Sequence, residues 1–95
     1  MDFTFVGDMF EWRGPSPFHF VRVPDDESQM IRDVASMVSY GWGVIPVTVS
    51  VGMTTVTTSL FPKDGGYLVP IKNAVRLSEE IKVGDAVHVN LSIGV

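Results

Sequence analysis

From Asp2 to Trp12 the apolar residues Phe3, Phe5, Val6, Met9, Phe10 and Trp12 fall on both alternating faces, with no proline among them. A long strand of this β-rich composition suits a barrel wall. Arg13-Gly14-Pro15-Ser16-Pro17 is a turn cluster, and Phe18 to Val23 is the returning strand of a β-hairpin. Pro24 stops that strand because it has no N–H to donate, and Asp25, Asp26 and Glu27 place carboxylates where a helix N-terminus favours them. The spacing of Met30, Ile31, Val34, Met37 and Val38 predicts one apolar stripe on a helix over about 25–38. Arg32, Asp33 and Ser36 face away, and Gly41 supplies the closing residue.

The pattern then returns to period two. Ile45, Val47, Val49 and Val51 alternate with Thr48 and Ser50, and after Gly52 the β-branched run continues from Thr54 to Phe61. Pro62 to Gly66 reads as a turn, Tyr67 to Ile71 as a short strand, and about 73–77 as a helical turn. After Val83-Gly84-Asp85, the residues Val87, Val89, Leu91 and Ile93 alternate with His88, Asn90 and Ser92 in a last strand. Six strands left as a flat sheet would expose two unpaired edges, and curling removes most of them. The expectation is a mainly β fold: a six-stranded β-barrel capped by one α-helix (about 25–38) and a short helical turn (about 73–77). No repeat or linker divides the chain, so residues 1–95 read as a single domain.

Composition supports burial over disorder, at 45% hydrophobic, 11% aromatic and 19% charged residues. The absence of Cys excludes disulfides, thiolate metal sites and cysteine nucleophiles. The first eight residues lack the basic and apolar regions of a secretory signal, and no stretch is apolar enough to span a membrane, so a soluble, cytoplasmic protein is expected. The formal net charge of −4 resides in residues 1–59, while the remainder is balanced. That charge opposes contact with phosphate backbones, so nucleic acid is not expected as a partner.

Several segments, read in order, carry a family resemblance. They are Trp12-Arg13-Gly14-Pro15, His19-Phe20-Val21, Gly41-Trp42-Gly43, Val47-Thr48-Val49, Thr58-Ser59-Leu60-Phe61-Pro62, Gly66-Tyr67-Leu68-Val69-Pro70-Ile71-Lys72, Ala74-Val75-Arg76 and Val83-Gly84-Asp85. Over nearly its whole length the chain resembles the small bacterial family called domain of unknown function 1905. The resemblance implies a double-split β-barrel, akin in architecture to the swapped-hairpin barrels of some transcription regulators, and no established activity. Members are sometimes joined to a bacteriocin-protection domain of the YdeI/OmpD-associated kind, which these 95 residues do not include.

Chemistry-bearing residues concentrate between positions 58 and 76. Thr58, Ser59, Lys63, Tyr67, Lys72 and Arg76 combine hydroxyls, a phenol and cations that a hairpin would fold together, and backbone N–H groups near Asn73 and Ala74 add donors. Such a set could hold an anion. Alternatively, Thr58 and Ser59 satisfy backbone groups while Lys72 and Arg76 pair with Glu79, Glu80 or Asp85. Trp12, Phe18, Phe20, Tyr40 and Trp42 lie near turns. Exposed, they would anchor a ring or a protein, with Trp42 the foremost candidate; buried, as favoured for so small a barrel, they fill its ends. His19 and His88 read as surface or hydrogen-bonded histidines, since their spacing makes no metal site.

No nucleophile–base pair, glycine-rich phosphate loop or metal motif emerges, so an enzyme ranks last and no cofactor is expected. The expected function is a non-catalytic binding or accessory module for a small anionic ligand or a protein partner. Its candidate site is Thr58, Ser59, Tyr67, Lys72, Arg76 and Trp42. A dimeric DNA-binding regulator is the alternative. The protein is monomeric or homodimeric, a homodimer forming through an unpaired strand edge.

Overall fold

The computed structural model describes residues 1–12, 18–38 and 45–94, excluding the side chains of 36–38. The elements are β1 (Asp2–Trp12), β2 (Phe18–Arg22), α1 (Asp25–Val38), β3 (Ile45–Val51), β4 (Thr54–Lys63), β5 (Gly66–Pro70), α2 (Asn73–Ser78) and β6 (Ala86–Ser92). The strands close into an antiparallel barrel in the order β1-β2-β5-β4-β3-β6. The sequence-based expectation of a six-stranded barrel with two helices is met.

The two long strands explain how so short a chain closes. β1 pairs with β6 from Asp2 to Asp8 and then with β2 from Met9 to Trp12. β4 likewise pairs with β3 from Thr54 to Leu60 and then with β5 from Phe61 to Lys63. Each changes partner midway, so one continuous strand serves two four-stranded halves and the barrel is split at two places.

Period-two patterning fills the interior. Met9 and Val21 face each other across the β1–β2 pair, and Ile45 and Leu60 across β3–β4; all four side chains are buried. Helix α1 contributes Ile31 to this core. Its stripe differs from the expected one, because Met30 is exposed while Ser28 and Ile31 are buried and Val34 and Ala35 half-buried. A serine is tolerated there because its hydroxyl donates to the Val23 carbonyl at 3.2 Å. The expected stripe members Met37 and Val38 and the outward Ser36 have side chains outside the described residues, as is Gly41 altogether.

The β4–β5 turn is tighter than expected. Only Asp64 and Gly65 lie outside the ladder, with φ of 51° and 77°, the signature of a type I′ turn. Pro62 therefore belongs to β4, opposite Tyr67, where alternate N–H groups of an antiparallel strand point away from the partner. Arg22 of β2 donates to the carbonyls of Lys63 and Asp64, and Arg32 of α1 to that of Gly65, so three elements converge on this turn.

Helix α2 occupies the split beside β4. Lys72, at its N-cap, donates from Nζ to the Thr57 carbonyl at 2.6 Å. At the other end Thr54 Oγ1 lies 3.0 Å from Ser78 Oγ and donates to Glu79 Oε2 at 2.5 Å, and Val75 is buried between. The side of β4 that no strand covers from Thr54 to Leu60 is thus screened by a helix. No helix among the described residues is long and apolar enough to cross a membrane.

Candidate ligand-binding site

The carboxyl end of β5 delivers the chain to α2 through Pro70, Ile71 and Lys72, directly beside the start of β2. Ile71 N–H donates to the His19 carbonyl at 2.8 Å, which fixes that junction. Between these elements and β4 lies a cavity of about 350 Å³ lined by Phe18, His19, Thr58, Pro70, Ile71, Lys72 and Asn73. Its walls are apolar at Phe18, Pro70 and Ile71, and its polar groups are a hydroxyl, an imidazole, an amide and an ammonium. That composition fits small-molecule pockets, in which a few convergent polar groups orient a ligand against apolar walls.

Two of the sequence-derived candidates meet here, Thr58 and Lys72. Arg76 stands one hydrogen bond away, its Nη2 donating to Asn73 Oδ1 at 3.2 Å. No carboxylate among the described residues lies within ion-pair distance of Lys72 or Arg76. Two of the three acids expected beside them are engaged elsewhere, Glu79 accepting from Thr54 and Asp85 from the Lys82 N–H at 2.8 Å. Among the described residues, Lys72 and Arg76 form no ion pair with Glu79, Glu80 or Asp85.

The remaining candidates lie apart. Ser59 follows Thr58 on β4 and so takes the opposite face of the strand. Tyr67 belongs to the core and borders a second cavity, of about 300 Å³, at the other end of β5 with Arg32 and the Asp64–Gly65 turn. Trp42 and Tyr40 fall outside the described residues. Lys63 is on the outer wall, its Nζ 4.2 Å from the Trp12 ring centroid, within cation–π range.

His19 and Asn73 are the contributors that pattern reading missed. His19 Nε2 sits 3.5 Å from Glu11 Oε2, and these two residues face each other across the β1–β2 pair. The signal was present in the alternation Phe18-His19-Phe20-Val21, which puts His19 on the same face as buried Val21. His88, by contrast, is exposed on β6. Among the described residues no group of three or more His, Cys, Asp or Glu side chains could hold a metal ion.

The aromatic residues correct the expectation that they fill the barrel ends. Trp12 is 43% and Phe18 60% exposed, because the register Trp12↔Phe18 and Phe10↔Phe20 sets these rings opposite to the face of Met9 and Val21. Of Trp12, Phe18 and Phe20, the described members of that group, only Phe20 is buried, beneath its neighbours on the outside of the barrel.

A family model described as Domain of unknown function (DUF1905) matches residues 5–91, nearly the entire chain. No curated protein and no solved structure matches it.

Proposed function

The chain belongs to the DUF1905 family, and from that premise we propose that it is a cytoplasmic, non-catalytic binding module for a small anionic ligand held at the Lys72 cavity. The observation that supports this reading is a cation without a carboxylate partner among the described residues, on a cavity that also offers Thr58, His19 and Asn73. An ammonium whose neighbours are a carbonyl, a hydroxyl and an amide complements a carboxylate or phosphate oxygen. The apolar walls suit a compact hydrocarbon or aromatic body attached to that anion. A volume of about 350 Å³ sits at the small end of the usual range for ligand pockets, roughly 300–1,000 Å³. Arg76 supports the site through Asn73, orienting the amide.

The test is a thermal-shift panel of inorganic phosphate, acetate and benzoate on the full chain. A ligand present at ten times its Kd should stabilise the fold by about 1.4 kcal/mol, or roughly 6–11 °C for a domain of this size. Lys72→Ala should abolish the shift while leaving the unliganded melting temperature within a few degrees of wild type, since the residue is exposed. A panel that moves nothing, or a shift that survives in Lys72→Ala, refutes the assignment.

A further inference from the structure

On the outer wall of the half-barrel formed by β1, β2, β5 and β4, five aromatic rings form one contiguous patch. Phe20 is at its centre, with ring centroids 6.0 Å from Phe10, 6.2 Å from Trp12, 6.4 Å from Phe18 and 6.2 Å from Phe61. The four surrounding rings are 37%, 43%, 60% and 49% exposed in that order. With side chains of about 200 Å² each, they present about 400 Å² of aromatic surface, within the range of the largest patch an ordinary monomer carries and of the kind that marks an interface. The other large exposed apolar residues, such as Met30, Met53 and Leu77, do not join it through ring contacts.

We propose that this face is the contact surface between two copies of the chain, packed sheet against sheet about a two-fold axis. Three features select that occupant. The first is area: a stable interface buries about 800 Å² per partner with an apolar centre and polar rim, and the rings supply about half of that, the exposed wall around them being the source of the rest. The second is charge. The patch centre has none, and its rim carries Lys63 and Arg22 beside Asp64, both signs within one short stretch. A surface that meets itself can pair those opposite charges across the two-fold axis, whereas a nucleic-acid strand stacking on the rings would need a large excess of cations, and the chain carries −4. The third is geometry. The barrel is closed, so a partner has a wall to pack on, and rigid aromatic side chains are the groups that concentrate binding energy at such contacts.

Sedimentation equilibrium of the full chain over micromolar to millimolar concentration tests this. Wild type is expected to approach twice its 10.4 kDa monomer mass. Phe61→Lys should weaken association by about 30-fold or more, as loss of an aromatic anchor beside the centre of an interface does. Met53→Lys, 97% exposed in the β3–β4 turn, should leave it unchanged. Trp12→Lys provides a second test on the opposite side of Phe20 should the Phe61 variant fold poorly. A wild-type protein that stays at 10.4 kDa throughout, or a dimer that persists undiminished in Phe61→Lys and Trp12→Lys, overturns the proposal.

Discussion

Replacing Leu60 by Ala is expected to cost about 3 kcal/mol, within the 2–5 kcal/mol usual for emptying a fully buried leucine site. Leu60 has no exposed surface and faces Ile45 across the β3–β4 pair. It is also the last residue of β4 to pair with β3, since Phe61 already pairs with Leu68 of β5. The surroundings therefore cannot collapse into the vacated volume without dragging one of the two half-barrels from its register. For a domain of this size the loss corresponds to a fall in melting temperature of roughly 12–24 °C. Leu60→Met, which keeps most of the volume, should cost under about 1.5 kcal/mol. Urea denaturation followed by far-ultraviolet circular dichroism measures both. Equal costs for Ala and Met would show that packing at the partner change is not what matters there.

The same strand shows what a sequence can and cannot convey. Alternation from Ile45 to Val51 and from Val87 to Ile93 made those strands legible because one face is apolar and the other polar. In β1 both faces are apolar, so the pattern identified a strand but not its inward side. Phe3, Phe5 and Met9 face the core, whereas Val6, Phe10 and Trp12 face out. That ambiguity led to the expectation of buried aromatics. It could be resolved only by the pairing Met9↔Val21, a contact twelve residues apart in sequence. The candidate site was half legible for a related reason. Lys72 and Thr58 meet because α2 lies along β4, while Ser59 and Tyr67 were grouped with them by proximity in sequence, which a period-two element converts into opposite faces and opposite ends.

Gly52→Ala is expected to cost about 2–3 kcal/mol, against about 1 kcal/mol for Gly65→Ala, although both glycines occupy left-handed positions in two-residue turns. Gly52 has φ of +57° and Gly65 of +77°, so the backbone penalty is similar. The difference lies in what a methyl group would meet. At Gly65 nothing lies within 4 Å of an added Cβ, whereas at Gly52 it would run into Glu79 Oε1 and lie 2.8 Å from its Cδ. The carboxylate would have to withdraw, and with it goes the hydrogen bond from Thr54 Oγ1 that ties the end of α2 to the start of β4. A hydrogen bond to a charged acceptor contributes about 1.5–3 kcal/mol, and the lower end applies here because Glu79 is partly exposed. Glu79→Ala and Gly52→Ala thus remove one shared contact. The double variant should then be less destabilised than the two single costs added together. Thermal denaturation of wild type, the three single variants and the double variant provides the comparison, with additive costs, or equal costs at Gly52 and Gly65, as the outcome that would separate the β3–β4 turn from α2.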